Sequence, residues 1–523
     1  MHIGVDVGGT NTDAVLMSGR DVQSFEKRAT SDDISGGIRE AIGALLTKSQ
    51  CRPESIRSVM IGTTQFTNAF VQAQTLNRVA TIRIGFPAAR GIPPLAGWPK
   101  ALSDAVDGGR HVVRGGFEFT GQPIAALDET AVAECAKGIR ASGVTHIAIS
   151  GVFSQLNASH EERAAEIVRD CMPEADITLS SEVGRIGLLE RENAAIMNAS
   201  LKTLAAHVAD AFAQALHALG IDAPFFISQN DGTLMSVAHM HRYPVRTFAA
   251  GPTNSLRGAA LLAGLSNALV ADIGGTTTDI GVLMDGFPRQ SSMHVDIGGV
   301  RTNFRMPDIL SLGLGGGSRV RDIGDPASLA IGPDSVGNRL HRDALVFGGS
   351  ILTASDIAVA AGNADFGDRS RVDGLPAAAV ADAAALITGM IENGIDRMKT
   401  SKTAVPLILV GGGAVLVAGD IRGVNEVHRP EGAEVANAVG AAIGQVSGEI
   451  DRIYNMESGV RDAMLCEARE LAVQQAVAAG AREASVEIVE VEEFPLQYLP
   501  GGATRVVCRA VGNLGAFEEA SHG

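Results

Sequence analysis

The sequence is poor in cysteine and aromatic residues and carries no excess of positive charge. Its five cysteines are scattered over 523 residues without a Cys-x-x-Cys pair, which argues against a disulfide framework and against a zinc or iron-sulfur site. Lysine and arginine number 43 against 59 aspartate and glutamate residues, which gives a net charge of −16. Because such a surface repels nucleic acid and anionic lipid, we expect neither as a partner.

Two further absences concern membranes and nucleotide loops. The longest charge-free apolar stretch, TAVPLILVGGGAVLVAG at 403–419, is interrupted by glycines and shorter than the ~20 residues of a membrane span. No basic, apolar leader precedes the first strand-like run, so we expect a cytoplasmic protein.

There is no G-x-x-x-x-G-K-[ST] sequence and no G-x-G-x-x-G after a predicted strand. These absences disfavour the P-loop and Rossmann classes.

Glycine, in contrast, is abundant, and the chain is long enough for several domains. There are 62 glycines, about 12% of residues against a usual ~7%. A chain of 523 residues predicts two or more domains. Strand-like runs alternate with helical patterns, one of them LDETAVAECAKGIRASG, a helix with Asp128 as its cap and Gly143 at its end. This alternation predicts α/β layers.

One phrase occurs twice. VDVGGTNTDAVLM at 5–17 returns as ADIGGTTTDIGVLM at 271–284, and each copy predicts a β-hairpin bent at a glycine pair. Such a bend lets the backbone approach a ligand and direct N–H groups at phosphate oxygens. The leading aspartate offers oxygen ligands of the kind that Mg²⁺ prefers. We therefore expect two hairpins that hold one Mg-bound polyphosphate in a cleft between two halves.

With these two phrases the sequence resembles the actin-like ATPases and sugar kinases, whose phosphate 1 and phosphate 2 loops are such hairpins. LILVGGGAVLV resembles their adenosine loop. Within that superfamily the chain is similar to the hydantoinase/oxoprolinase family over roughly residues 1–450. The ordered phrases that carry this likeness are GTTQFTNAF, SSEVGRIGLLERENAAIMNASL, ISQNDGT, AAGPTNSLRGA, LGLGGGS and VANAVGAAIG.

The resemblance implies an α/β fold of two duplicated ribonuclease-H-like halves, of the actin and sugar kinase type, around a nucleotide cleft. It places the phosphate 1 half at residues 1–182, and the half with the phosphate 2 hairpin and the adenosine loop at 183–455. The helix and two strand-like runs after Tyr454 predict a small α+β appendage at 456–523.

The resemblance also implies ATP and Mg²⁺ as cofactors. Asp6 and Asp272 would serve the metal and its water shell. Asp13 and Asp279 either orient or deprotonate a nucleophile, or simply pair with nearby backbone N–H groups. The residues expected to bind the nucleotide are Gly8, Gly9, Thr10, Asn11, Thr12, Gly274, Gly275, Thr276, Thr277, Gly411, Gly412 and Gly413.

The activity implied is ATP-dependent hydrolysis of a small cyclic amide or related carbonyl compound, whose oxygen accepts the γ-phosphoryl group. A second hydrolase subunit is expected as a partner, and the chain itself could form a homo-oligomer. Two alternatives stay open: a small-molecule kinase, and a chaperone or reactivase that ATP switches. A stable phosphorylated product would indicate the kinase, and ATP turnover that no substrate stimulates would indicate the chaperone.

Several segments allow both a structural and a functional interpretation. Thr63, Thr64 and Asn68 could meet a phosphate or could cap a helix. Glu190 and Arg191 resemble a family motif or form an interdomain ion pair. LGLGGGSR is a ligand loop or a tight crossing. The run at 433–454 predicts a helix with Gly440, Gly444 and Gly448 on one face, packed close to another backbone or to a nucleotide loop.

Overall fold

Strands make up much of this chain. The computed structural model describes residues 1–9, 11–30, 34–291, 294–455, 460–496 and 502–515. The strands are β1 (His2–Val7), β2 (Asn11–Ser18), β3 (Asp21–Ala29), β4 (Ser58–Thr63), β5 (Val79–Phe86), β6 (Asp107–Arg114), β7 (His146–Gly151), β8 (Asp176–Leu179), β9 (Phe225–Ser228), β10 (Thr233–Met235), β11 (Ala268–Ile273), β12 (Thr278–Met284), β13 (Phe287–Pro288), β14 (Val295–Ile297), β15 (Val300–Thr302), β16 (Ile309–Leu312), β17 (Ser318–Arg321), β18 (Ala330–Ser335), β19 (Val405–Val410), β20 (Val424–His428), β21 (Gln445–Asn455), β22 (Glu487–Pro495) and β23 (Ala503–Gly512).

Helices cover and connect the sheets. They are α1 (Ile34–Ser49), α2 (Gln65–Val71), α3 (Lys100–Val106), α4 (Glu129–Ser142), α5 (Ser159–Cys171), α6 (Ser180–Val183), α7 (Leu188–Ala218), α8 (Val237–Arg242), α9 (Ala250–Ala263), α10 (Leu340–Asp343), α11 (Ala354–Ala360), α12 (Ala377–Met398), α13 (Ala436–Ala442) and α14 (Arg461–Ala478).

Two sheets repeat one strand order. In the first, β1 pairs antiparallel with β2 and parallel with β4, and the run β3-β2-β1-β4-β9 extends inward from one edge of the sheet. In the second, β11 pairs antiparallel with β12 and parallel with β19, in the run β13-β12-β11-β19-β20. The predicted duplication of two α/β halves is thus confirmed, with one hairpin in each of the two sheets.

A third sheet is inserted into the first half. Its strands lie in the order β6-β5-β7-β8 and all run parallel. Helices α4 and α5 help to cover it and to form a separate apolar core. As predicted, α4 begins after Asp128, whose side chain accepts a hydrogen bond from the Ala131 N–H, and ends at Gly143 with a φ of +76°.

The C-terminal helix and two strands also lie where the sequence predicts them, but the strands continue the first sheet. β21, β23 and β22 follow β10 in one nine-stranded sheet, and α14 packs on β21 and β23. The division into 1–182, 183–455 and 456–523 stays a prediction, and the strands cut across it. β9 and β10, from the middle range, belong to the first sheet.

Two helices carry the chain between the halves and cross in close contact. α9 leads from the first sheet into β11, and α13 leads from the second sheet back to β21. A Cβ on Gly258 of α9 would lie 1.8 Å from the Ala436 carbonyl oxygen, and one on Gly440 of α13 would lie 1.8 Å from that of Asn254. Only glycine permits this backbone-to-backbone approach.

The helix predicted over 433–454 is therefore partly wrong. Its helical part is α13, which ends at Ala442, and the strand β21 begins at Gln445. Gly448 lies on that strand, where a Cβ would meet the Ala472 carbonyl oxygen of α14 at 2.1 Å. The close approach is thus to protein backbone at Gly440 and Gly448, and to the Leu234 side chain at Gly444.

Among the described helices, α12 is long and apolar enough to cross a membrane by length and composition alone. Its apolar face, which includes Val380, Ile387 and Ile391, packs into the core of the second half. That packing accounts for its composition, because a core helix needs the same apolar residues.

Candidate functional site

The two hairpins have the same backbone geometry. Asp6 lies opposite Asp13 in the first, and Asp272 lies opposite Asp279 in the second. The Gly8 N–H donates to the Asn11 carbonyl oxygen at 3.0 Å, and the Gly274 N–H donates to that of Thr277 at 2.8 Å. Each half therefore presents two carboxylates beside a glycine bend.

In the first hairpin, an asparagine from a distant helix joins the two carboxylates. The Nδ2 of Asn437, on α13, donates to the Oδ2 atoms of Asp6 and Asp13, each at 2.9 Å. Both aspartates are deeply buried, with 4% and 2% of their surface exposed. Their Oδ1 atoms are buried without a hydrogen-bond partner in the described part of the chain.

A lysine supports the same hairpin from β3. The Nζ of Lys27 donates to Asp13 Oδ2 at 2.9 Å and to the Glu434 carbonyl oxygen at 3.0 Å. It thereby connects the first sheet to the segment that precedes α13. Its positive charge also stabilises the ionised forms of Asp6 and Asp272, which places the lysine within electrostatic range of both hairpins.

The second hairpin is more open. Asp272 and Asp279 are only half-buried, and the Ser311 hydroxyl of β16 donates to Asp279. A Cβ on Gly411 would lie 2.3 Å from Asp272 Oδ1, and the φ of Gly411 is +83°. This glycine thus leaves the space that the Asp272 carboxylate occupies.

The aspartates resist ionisation, and the two hairpins affect each other. Burial, followed by the charges of Asp13 and Asp272, raises the pKa of Asp6 to about 7. Burial raises the pKa of Asp279 to about 6, and it also raises the pKa values of Asp13 and Asp272. The effect of Asp272 on the pKa of Asp6 places the two predicted metal-site aspartates within electrostatic range of each other.

The predicted nucleotide residues around the bends differ in access. Gly9, Thr276, Thr277 and Gly412 are exposed, and the partly exposed residues are Gly8, Asn11, Gly274, Gly275 and Gly411. Gly413 is buried, and Thr10 lies outside the described residues.

Thr12 has a supporting position. It is 1% exposed, and its hydroxyl lies 3.2 Å from that of Thr30, which donates to the Gly8 carbonyl oxygen. In the second hairpin the corresponding Thr278 is equally buried and donates to the Leu314 carbonyl oxygen at 2.7 Å. The threonine directly before the second aspartate of each phrase therefore anchors the bend.

Two glycine-rich loops pack on the back of the second hairpin. The Gly316 and Gly317 N–H groups donate to the carbonyl oxygens of Gly274 and Gly275 at 2.9 and 2.7 Å. The Gly413 N–H donates to the Ile273 carbonyl oxygen at 2.7 Å. LGLGGGSR is thus a tight crossing that braces the bend, and the third glycine of LILVGGGAVLV performs a similar bracing role.

The start of α2 lies beside the first hairpin. The Thr64 N–H donates to the Val7 carbonyl oxygen at 3.2 Å, and a Cβ on Gly9 would lie 3.8 Å from Asn68 Nδ2. Thr64 is the N-terminal cap of α2 by position, but its side chain makes no capping hydrogen bond. The Thr63 hydroxyl accepts from the Gln65 N–H at 3.2 Å.

Glu190 and Arg191 are adjacent in sequence but interact with different parts of the chain. Glu190 pairs with Arg301 of β15 at 3.1 Å, so it links α7 to a segment that lies between strands of the second sheet. Arg191 is 1% exposed and donates to Ser180 at 2.9 Å and to the Gly151 carbonyl oxygen. Glu190 thus forms an ion pair, as one of its two interpretations predicts, whereas Arg191 holds the inserted sheet.

The donor set fits a hydrated cation better than a directly caged one. Within the described ranges, no group of three or more histidine, cysteine, aspartate or glutamate side chains could hold a metal ion. The Oδ1 atoms of Asp6 and Asp13 nevertheless are carboxylate oxygens that lack a hydrogen-bond donor among the described residues. Mg²⁺ commonly keeps several waters and uses one or two carboxylates plus phosphate oxygens.

Sequence reasoning missed Asn437, Lys27 and Ser311. Asn437 lies within VANAVGAAIG, where an amide side chain stands alone among small apolar residues. That contrast was the available signal, because a polar side chain on a buried helix must find hydrogen-bond partners. Nothing in the local sequence of Lys27 or Ser311 indicates a contact with an aspartate.

Two halves with one strand order, joined by crossing helices and facing each other through glycine hairpins, define the actin-like ATPase and sugar kinase fold. The model described as "Hydantoinase/oxoprolinase N-terminal region" matches residues 2–172, and the model "Hydantoinase/oxoprolinase" matches 191–368. The chain belongs to the hydantoinase/oxoprolinase family.

Relatives of known name share part of this chain. The acetophenone carboxylase gamma subunit of Aromatoleum aromaticum is 27% identical over 69% of this chain and 53% of its own length. The caprolactamase subunit alpha of Pseudomonas jessenii is 27% identical over 64% of this chain and 51% of its own. The chain thus spans about half the length of these curated relatives.

A solved structure shares the fold over nearly the whole chain. The ATP-dependent caprolactamase from Pseudomonas jessenii superposes with a TM-score of 0.79 at 20% identity, covering 98% of this chain and 88% of that one. At that identity the likeness establishes the fold.

Proposed function

We propose that this chain is the nucleotide-binding subunit of an ATP-dependent enzyme that activates a small cyclic amide or related carbonyl compound. The observation that carries the proposal is the pair of hairpins, each with two carboxylates beside a glycine bend, and near enough that the charge of Asp272 raises the pKa of Asp6. Phosphoryl transfer depends mainly on positioning and on neutralisation of charge, and glycine bends with flanking carboxylates supply the groups for both.

The named relatives support the reaction class. One is an acetophenone carboxylase subunit and another is a caprolactamase subunit, and the caprolactamase of the solved structure is ATP-dependent. A ketone and a lactam both present a carbonyl oxygen that a phosphoryl group can activate. Transfer of the γ-phosphoryl group to that oxygen would make the carbonyl carbon open to attack.

We assign Mg²⁺ to the carboxylates of Asp6 and Asp272, with Asp13 beside them. The cation would neutralise the negative charge of the phosphates. Lys27, which bonds to Asp13 and lies within electrostatic range of Asp272, would add to this neutralisation. The exposed backbone at Gly9 and Gly275 would meet the phosphates, and Gly412 would lie beside the adenosine. Asp279 is the candidate for orienting a nucleophile, since its pKa of about 6 lies near neutral pH.

A second subunit is part of the proposal. Both of these curated relatives are named as subunits. We infer that the chain works with a separate hydrolytic partner in the cytoplasm.

The test is phosphate release from Mg-ATP by the purified chain, with hydantoin, 5-oxoproline or caprolactam, and with Asp272→Asn as the control variant. We expect one such compound to stimulate release, and the substitution to abolish the stimulation. Release that every compound leaves unchanged, together with an unaffected Asp272→Asn variant, would contradict the proposal. A stable phosphorylated product would indicate a kinase instead.

A further inference from the structure

An asparagine on α13 uses its whole amide group within the first hairpin. The Nδ2 group of Asn437 has two hydrogens, and it donates to Asp6 and to Asp13 at 2.9 Å each. Its Oδ1 accepts from the Ala438 N–H at 2.8 Å. Since the oxygen already has a partner, the amide cannot rotate by half a turn without losing three hydrogen bonds.

This arrangement fixes the orientation of two carboxylates. Asp6 and Asp13 each give one oxygen, Oδ2, to Asn437, and Lys27 reinforces the bond at Asp13. The remaining oxygen of each, Oδ1, is buried and unpartnered. A buried acceptor without a partner costs free energy, so the pair of Oδ1 atoms indicates a place for a ligand that the two carboxylates share.

The backbone that carries Asn437 is itself held firmly. A Cβ on Gly4 of β1 would lie 2.2 Å from the Ala438 carbonyl oxygen, and one on Gly440 would lie 1.8 Å from that of Asn254 on α9. Helix α13 therefore rests on the strand that carries Asp6 and on the other crossing helix. Any shift of this crossing moves Asn437 relative to both carboxylates.

We propose that Asn437 is a positioning residue for the divalent cation that accompanies the bound nucleotide. Its amide holds the Oδ2 atoms of Asp6 and Asp13 and thereby fixes both carboxylates, and its place on α13 links that orientation to the contact between the two halves. This inference rests on the proposed function, because it requires a nucleotide with its cation at this site. The role is to orient carboxylates, not to react.

The chain offers a matched comparison in Asn254. This asparagine is 1% exposed and lies on α9 at the same helix crossing. Its Nδ2 and Asp6 Oδ1 are each 2.6 Å from the point that a Cβ on Gly62 would occupy. Yet its Nδ2 has no hydrogen-bond partner among the described residues. The two asparagines therefore lie at one helix crossing, with Asn254 the more buried of the two, but they differ in their bonds to the carboxylates.

The experiment measures Mn²⁺-dependent binding of a fluorescent ATP analogue to the full chain, together with the melting temperature of each variant. We expect Asn437→Ala to raise the Mn²⁺ concentration for half-maximal binding by about tenfold or more, as loss of a group that orients metal ligands commonly does. Asn254→Ala should raise it far less. Asn437→Ser, which keeps one donor hydrogen, should lie between the unaltered chain and Asn437→Ala and serves if the alanine variant fails to fold.

Two results would overturn the inference. The first is an equal rise in the Mn²⁺ concentration for half-maximal binding in the Asn437 and Asn254 variants. The second is a lower melting temperature in Asn437→Ala or Asn437→Ser while that Mn²⁺ concentration stays unchanged. Failure of the unaltered chain to bind the analogue with any divalent cation is a different outcome, which would overturn the proposed function and this inference together.

Discussion

The two hairpins share a phrase and a register but differ in their surroundings. In the first, both aspartates are almost fully buried, and an amide and an ammonium group from outside the hairpin bind them. In the second, both are half-buried, and the Ser311 hydroxyl donates to Asp279. The repeated phrase thus determines the backbone of each hairpin, whereas residues elsewhere determine the state of its carboxylates.

This difference assigns different roles to the two copies. The carboxylates of the first hairpin are fixed in place before any ligand arrives, since Asn437 belongs to a helix packed on β1. Those of the second face a more open side of the cleft, with the glycine loops bracing the backbone behind them. Substitutions at matching positions should therefore have unequal effects.

The largest expected difference between matched variants is in the free energy of unfolding, and it concerns the glycine next to each leading aspartate. Gly62 lies opposite Asp6, and Gly411 follows Val410, which lies opposite Asp272. Gly411→Ala would place a Cβ 2.5 Å from the Ile273 carbonyl oxygen at a φ of +83°. We expect it to lower the free energy of unfolding by about 2 kcal/mol or more.

The matched variant Gly62→Ala should cost less stability. Its Cβ would meet two side chains, those of Asp6 and Asn254, and no backbone atom, and Gly62 has no positive φ. Urea denaturation of both variants makes the comparison. A larger loss for Gly62→Ala than for Gly411→Ala would show that the backbone of the second hairpin is not the more constrained one.

A second prediction concerns pH and the metal-free chain. The pKa of Asp6 is raised to about 7 from an unfolded value of about 4, so the folded state binds more protons across that interval. The free energy of unfolding must then fall as pH rises from about 4 to about 7. Asp6→Asn should flatten this decline and melt at a higher temperature than the unaltered chain at pH 8.

Asp279 provides the comparison for that experiment. Its pKa is raised to about 6. Its contribution to the fall in the free energy of unfolding should therefore end nearer pH 6 and be smaller than that of Asp6. Asp279→Asn should accordingly flatten the curve less than Asp6→Asn. Melting curves between pH 4 and pH 8 in the presence of a chelator test the order, and a reversal of it would contradict the assigned burial of the two sites.

The smallest expected effects concern single donors. Lys27 is one of two donors to Asp13 and is 35% exposed, so solvent screening should keep the cost of Lys27→Met below about 1 kcal/mol. The Ser311 hydroxyl is the one side-chain donor to Asp279 among the described residues. Ser311→Ala should cost about 1 kcal/mol and raise the pKa of Asp279 further.

Urea denaturation at pH 8 and a pH titration of stability measure both variants. A greater loss for Lys27→Met than for Ser311→Ala would mean that Asn437 does not substitute for the lysine at Asp13.

The parts of the fold that depend on local chemistry were predictable from the sequence. A glycine pair between two strand-like runs specifies each hairpin, and Asp128 and Gly143 specify the ends of α4. These signals depend on residues a few positions apart. A single sequence contains them in full.

The contacts that complete the site were not predictable in that way. Asn437 reaches Asp6 across 431 positions of the chain, and no pattern in one sequence pairs residues so far apart. Strand β21 was mistaken for helix for a related reason. Its buried residues Val446, Ile450 and Tyr454 follow a spacing of four, and the Gly448 between them hides the alternation of a strand.

The central claim is that both hairpins hold one nucleotide with its cation. Calorimetric titration of the chain with a non-hydrolysable ATP analogue and Mg²⁺ tests it most directly, with Asp6→Asn and Asp272→Asn measured in parallel. The account predicts one site per chain in the unaltered protein and a large loss of affinity in each variant. Two independent sites, or undiminished binding after either substitution, would contradict it.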